Sequence, residues 1–201
     1  MKKANLKSEE MKAVRDDILA LTNSPLYDFR VENGYFPVVG EGNLDAHIVF
    51  VGEAPGKNEA EKDRPFCGAS GRILDELLAS IGMDRAKVYI TNLVKDRPPE
   101  NRDPSRDEIA LYAPFLDRQI AIIEPRIIAT LGRHPMKYIF ERFGLSSKLK
   151  PISQIHGKGF KATGPHGEVT IIALYHPAAA LYNGSIKKDL VKDFKILKKY
   201  V

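Results

Sequence analysis

The sequence predicts an α/β protein, a three-layer α/β/α sandwich around a central, mostly parallel four-stranded sheet. Two patterns carry that expectation. Four short runs are apolar and β-branched almost without a break, as strands covered on both faces must be. Stretches of helical period alternate with them, and such alternation builds parallel strands joined by right-handed crossovers. Length agrees: 201 residues, 43% hydrophobic and 28% charged, suit one globular domain spanning 1–201.

In chain order, a helix is expected near Ser8–Leu21, then a strand over His47–Gly52 (HIVFVG). Gly71–Ile81 carries Ile73, Leu74, Leu77, Leu78 and Ile81 on one helical stripe, and Val88–Val94 (VYITNLV) is the second strand. Arg106–Ile123 follows Ser105, which reads as an N-cap ahead of Asp107 and Glu108, acids that favour a helix start. Arg126–Leu131 and Val169–Leu174 are the third and fourth strands, with a short helix at Met136–Phe143. The Gly- and Pro-containing stretch Lys150–Gly167 reads as a surface excursion. In the tail, Leu190, Val191, Phe194, Ile196 and Leu197 recur at roughly helical spacing, so its lysines read as one helix's wet face.

Thirty-one Lys and Arg against 26 Asp and Glu give +5, which permits a polyanionic partner without requiring one. A single cysteine makes no intramolecular disulfide and supplies no ligand set for zinc or an iron–sulphur cluster, which fits a reducing compartment. The chain start lacks the apolar core of a signal peptide, and no run reaches membrane-spanning length. The expectation is a cytoplasmic protein with no membrane partner, by default a monomer.

The segments leaving the strands are chemically richer than the strands themselves. The first strand runs into Gly52-Glu53-Ala54-Pro55-Gly56. The second contains Thr91-Asn92 and leads to Lys95-Asp96-Arg97-Pro98-Pro99. The third ends at Gly132-Arg133-His134-Pro135, the fourth at Tyr175-His176-Pro177. In an open parallel sheet these segments converge on one edge, where ligands bind. Each has an ordinary reading: a tight turn, a satisfied Asn, a loop histidine, with His134 read as the last of these. The GEAPG segment has the glycine spacing of neither a Walker loop nor a dinucleotide fingerprint. Convergence of a carboxylate, an amide and a histidine on one rim favours an active site.

The same residues carry a family likeness. Gly52-Glu53-Ala54-Pro55-Gly56 with Arg64-Pro65-Phe66-Cys67-Gly68 and Gly71-Arg72-Ile73-Leu74 resembles the first motif of the uracil-DNA glycosylase superfamily, nearest to its family 4. Tyr89-Ile90-Thr91-Asn92-Leu93-Val94-Lys95, continuing through Arg97 to Pro104, resembles the second motif, and Tyr175-His176-Pro177-Ala178-Ala179 the third. The likeness runs in order from about Leu21 to the C-terminus. Family 4 enzymes usually hold a [4Fe–4S] cluster on four cysteines. Those positions fall here on Leu21, Ser24, Asp96 and Tyr112, and the one cysteine, Cys67, lies in the first motif. Four thiolates are what such a cluster needs, so no cofactor and no metal are expected. The tie between the N-terminal segment and the loop after the second strand is then expected from packing, with Tyr112 and Leu21 filling the space.

The likeness implies hydrolysis of the N-glycosidic bond of uracil in DNA, leaving an abasic site. It implies that His176 stabilises charge near uracil O2, that Glu53 positions water, and that Asn92 reads the uracil edge. Gly52, Ala54 and Gly56 would let the base approach the turn closely, Phe66 would stack on it, and Glu59 would exclude the thymine methyl. Lys95, Arg97, Arg102 and Lys158, the last in the Gly157–Gly159 turn, would contact DNA. Relatives place a wedge leucine where this chain has Ala180. Either Leu181 takes that role or strand opening is weaker, and a weak wedge favours single-stranded over duplex substrate. Two other readings stay open: a glycosylase for another deaminated base such as hypoxanthine or xanthine, and a catalytically weak DNA-binding or damage-sensing protein.

Overall fold

A computed structural model describes the backbone of residues 2–200 and the side chains of residues 5–199. Helices α1 (Lys2–Leu19) and α2 (Tyr27–Glu32) precede a two-residue strand β1 (Glu41–Gly42) and strand β2 (Ile48–Gly52). Helices α3 (Lys57–Lys62) and α4 (Ala69–Ser80) lead to β3 (Tyr89–Asn92), α5 (Arg106–Ile123), β4 (Ile127–Leu131) and α6 (Arg133–Arg142). The short α7 (Ile152–Ile155), a hairpin of β5 (Gly159–Gly164) and β6 (Gly167–Leu174), then α8 (Ala179–Tyr182) and α9 (Gly184–Leu197) complete the chain.

The sheet has six strands in the order β1-β3-β2-β4-β6-β5. Its four central strands are parallel, and they are the four apolar runs of the sequence. The expected count of four is corrected by an antiparallel strand at each edge. Both were hidden for physical reasons. Strand β1 is two residues long, and β5 alternates exposed and half-buried positions because only one of its faces is covered. The Lys150–Gly167 segment is therefore not a mere surface excursion.

Alternate residues of the central strands face opposite layers. Ile48 and Phe50 of β2 pack with Leu74, Leu77 and Leu78 of α4 and with Leu190, Phe194 and Leu197 of α9. Val49 and Val51 pack with Leu116 and Ile120 of α5 and with Ile139 and Phe140 of α6. Ser105 caps α5 as expected: its Oγ accepts the Glu108 N–H at 3.2 Å while Glu108 Oε2 accepts the Ser105 N–H at 2.7 Å. Among the described residues no helix is long and apolar enough to cross a membrane.

The four positions that the family resemblance assigns to cluster cysteines do not fit a cluster. The Ser24 and Tyr112 hydroxyls lie 2.7 Å apart, Tyr112 donates to Asp96 Oδ2 at 2.5 Å, and Arg30 donates to the same carboxylate at 3.2 Å. Arg30 also donates to the Ile18 and Leu19 carbonyls, closing α1 onto the network. Leu21 and Leu26 pack beside Tyr112. Leu21 and Tyr112 pack together as expected, and a buried hydrogen-bond chain with an ion pair adds to that packing, joining the N-terminal segment, the loop after β3 and α5. Burial pushes the Asp96 carboxyl above its ordinary value, opposed by Tyr112 and Arg30.

Candidate active site

The carboxyl ends of β2, β3 and β6 deliver the first three site residues. Parallel pairing sets Gly52 opposite Asn92, and the ladder continues past the strand ends: Leu93 N–H donates to Gly52 O and Val94 N–H to Glu53 O, both at 2.9 Å. That pairing fixes the start of the GEAPG turn against the second motif. A cavity of about 300 Å³ opens there, lined by Glu53, Glu59, Phe66, Asn92, Arg102 and His176 among others. Ala54 and Gly56 also line it, while Gly52 lies against the Asn92 amide and the Phe66 ring. A larger cavity of about 550 Å³ lies at the other end of the sheet, near the β5–β6 turn, and gathers none of these groups. The smaller one is the better candidate, because chemistry follows convergent polar groups rather than volume.

Asn92 is only 2% exposed, and among the described residues nothing takes up its side-chain amide. An amide left open to a cavity is a ready donor and acceptor for a ligand edge. A Cβ on Gly52 would collide with that amide and come within 2.7 Å of the Phe66 ring. Glycine at position 52 is therefore what leaves room for both groups.

Phe66 is held by three devices. Its φ of +49° is left-handed, a conformation a bulky residue adopts only under constraint. Glu59 Oε1 accepts the N–H groups of Cys67 at 3.0 Å and Gly68 at 2.7 Å. Arg85 donates to the Pro65 and Phe66 carbonyls at 2.6 and 3.2 Å, and Gly71 admits the Phe66 carbonyl where any Cβ would clash. Glu59 lines the cavity, and it pins the loop that aims Phe66.

His176 faces the Phe66 ring at 5.6 Å between centroids. Its Nδ1 accepts the Ala178 N–H at 3.1 Å. Burial lowers its pKa to about 4, with Glu59 opposing the shift. The ring is neutral at ordinary pH, and because Nδ1 is an acceptor the proton sits on Nε2. The result is a fixed, uncharged N–H donor.

Glu53 has a neighbour that the sequence presents as an ordinary loop histidine. His134 Nδ1 lies 2.7 Å from Glu53 Oε2, out of line for a hydrogen bond. The signal was available: His134 leaves β4 at the same sheet edge as Glu53 leaves β2. Glu53, Asp103 and His134 bring one ligand atom each within 4.8 Å of one another. Arg133 pairs with Asp103, the exposed member of that group.

Of the expected DNA contacts, Lys95 is corrected. It is fully buried, with Nζ donating to Thr91 Oγ1, the Asn92 carbonyl and Gln119 Oε1 at 2.8, 2.6 and 2.6 Å. Its four-residue spacing from Thr91 folds it back beneath the second motif, and burial drives its pKa well down. Arg102 lies on the rim, doubly bonded to Glu108 at 2.6 and 2.9 Å. Arg97 sits behind the rim, its guanidinium bonded to the Tyr35 hydroxyl. Lys158 is exposed in the turn before β5 and donates to the Gln154 carbonyl at 2.8 Å. Leu181 is 43% exposed whereas Ala180 is 8% exposed, so position 181 presents the apolar side chain.

Comparison with known proteins agrees with this geometry. A family model for the uracil DNA glycosylase superfamily matches residues 39–198. The chain is 44% identical over 188 residues to a type-4 uracil-DNA glycosylase of Sulfurisphaera tokodaii, covering 93% of this chain and 83% of that one. It is 45% identical over 166 residues to its Archaeoglobus fulgidus namesake, covering 83% and 81%. With the Thermotoga maritima namesake it is 36% identical over 197 residues, covering 97% and 96%. The match spans all three motifs and the strands that carry them, and the chain belongs to the uracil-DNA glycosylase superfamily.

Proposed function

We propose that this protein is a monofunctional uracil-DNA glycosylase that works without a cluster or metal, as a single-domain monomer in the cytoplasm. It hydrolyses the N-glycosidic bond of uracil in DNA and leaves an abasic site, as a step of base excision repair. The observation that carries this reading is the neutral His176, with its proton on Nε2, beside an unpaired Asn92 amide and the Phe66 ring in one base-sized cavity.

Breaking the bond between N1 and C1′ places positive charge on the sugar and negative charge on the departing base. A preorganised donor at the base oxygen lowers that barrier, and His176 Nε2–H is such a donor. The Asn92 amide can satisfy uracil O4 and N3–H together. Cytosine reverses that pattern and would leave buried polar groups unpaired. Phe66 offers a face for the base, and Glu59, with the loop it pins, closes the side that must exclude the thymine methyl. Glu53 is the carboxylate placed to position water, with His134 beside it. Arg97, Arg102 and Lys158 supply DNA contacts and Leu181 the wedge.

The test is a panel of single-stranded oligonucleotides carrying uracil, hypoxanthine, xanthine, thymine or cytosine, assayed with enzyme in excess, and a U·A duplex at matched salt. Base release is expected from uracil alone, and faster from the single strand. Release of hypoxanthine or xanthine instead would move the assignment to another deaminated base. Binding without release of any base would move it to a damage-sensing role.

Gly52→Ala places a methyl against Asn92 and Phe66. Uracil release should drop by at least about tenfold in kcat/KM, the cost of a misplaced base, while the melting temperature stays within a few degrees; unchanged kcat/KM would mean the base lies elsewhere. The response to pH is a separate check. Because His176 is neutral down to about 4, its Ala178 bond and Nε2 donor persist through the ordinary histidine range near 6.5. Activity should show no His176-dependent inflection there and should fall only toward about 4. The sign for stability is the same: the unfolded chain protonates this ring first, so its contribution is complete above 6.5 and is lost as pH falls toward 4. A pH–rate inflection near 6.5 that disappears in His176→Gln would contradict this.

A further inference from the structure

The loop after β3 lines the pocket with Pro98, Asn101 and Arg102 and carries Arg97 just behind that wall. Arg102, which lines the pocket, is paired with Glu108, and nearby Arg133 and Arg85 are paired with Asp103 and with Glu41 and Asp75. Arg97 is different. Among the described residues no carboxylate pairs with it, and its guanidinium is held by neutral groups. Its Nε donates to Asn101 Oδ1 at 2.8 Å and its Nη1 to the Tyr35 hydroxyl at 2.6 Å. Its guanidinium carbon lies 5.2 Å from the Tyr35 ring centroid and 5.9 Å from that of Phe29. The two rings meet edge to face at 5.9 Å, and Phe36, next in the chain, is 50% exposed.

The wall between this group and the pocket is itself under constraint. Glu100 and Asn101 are consecutive non-glycine residues with φ of +55° and +54°, an uncommon backbone that persists where surrounding structure enforces it. The bond from Arg97 to Asn101 is part of that enforcement. The same arginine therefore touches the pocket wall on one side and an aromatic pair on the other.

We propose that Arg97, with Tyr35 and Phe29 behind it, forms a stacking shelf for the nucleobase next to the target in single-stranded DNA. The inference rests on the reading that the pocket takes uracil, and it narrows Arg97 from a DNA contact to a base platform. Three features support a base as the occupant. A guanidinium plane backed by rings is a surface on which unpaired bases stack. Its uncompensated charge suits the phosphates on either side of that base. The shelf is continuous with the pocket through Asn101 and Pro98. Once the target enters the pocket, its neighbour in a single strand has lost one stacking partner, and the shelf replaces it. In a duplex that neighbour stays paired, so the shelf favours single-stranded substrate.

The experiment uses three single-stranded oligonucleotides with one uracil: one intact, and two in which the base on the 5′ or the 3′ side is replaced by a tetrahydrofuran spacer that keeps the phosphates. Each is followed by single-turnover uracil release and by equilibrium binding in fluorescence anisotropy. For the wild type, one of the two spacers should weaken binding and release efficiency by about 5- to 150-fold, the range for one base–aromatic stack, and the other should have little effect. Arg97→Lys keeps the charge and loses the plane. It should show the weakened value on the intact strand and become indifferent to that spacer. A wild type insensitive to both spacers would overturn the proposal, as would an Arg97→Lys variant that keeps the full spacer dependence. Should that variant fail to fold, the wild-type comparison decides alone. Spacer-dependent binding without uracil release from any strand would sink the glycosylase reading and leave the shelf standing.

Discussion

His176→Ala should lower single-turnover uracil release by roughly 10²–10³-fold, the usual cost of removing one preorganised donor at a developing anion. The loss should fall on the chemical step, with DNA affinity close to that of the wild type, because His176 sits inside the cavity rather than on the rim. His176→Gln should recover part of the rate, since an amide N–H can reach toward the position of Nε2 without carrying charge. A His176→Ala variant as fast as the wild type would mean that the departing base is stabilised by other groups, with the backbone N–H donors of the GEAPG turn the first alternative.

Asp96→Ala should destabilise the fold by about 3–5 kcal/mol, because removing one partner of a buried ion pair strands the other. Arg30 would keep its bonds to the Ile18 and Leu19 carbonyls but lose its carboxylate partner, and the Tyr112 hydroxyl would lose an acceptor. For a chain of this size that corresponds to a fall of roughly 6–20 °C in melting temperature. Arg30→Met combined with Asp96→Leu should lose less than the single substitution, since apolar groups filling the same space leave no buried charge. If Asp96→Ala melted with the wild type, the network would not be the tie between the N-terminal segment, the loop after β3 and α5.

The central strands were legible because burial on both faces leaves no polar alternation to confuse the period. The edge strands were not: β1 is too short for any pattern, and β5 mixes Phe160 and Ala162 with exposed Lys161 and Thr163. Within the site, Glu53, Phe66, Asn92 and His176 could be assembled from the topology and the motifs, since strand ends of a parallel sheet meet at one edge. Lys95 misled because a lysine beside Arg97 and Arg102 reads as part of a basic loop. Only the three-dimensional path shows it folding back on Thr91 and Gln119. The Ser24–Tyr112–Asp96–Arg30 chain was equally hidden, because its members lie far apart in sequence and no spacing rule joins them.

The most direct test of a cluster-free glycosylase is single-turnover release of uracil from a labelled single-stranded oligonucleotide by wild-type protein whose iron content has been measured. An alkali-labile product is expected from protein carrying far less iron than one cluster per chain. A folded, DNA-binding protein that gives no product at enzyme excess, or gives it only when iron is present at cluster stoichiometry with the matching visible absorption, would contradict it.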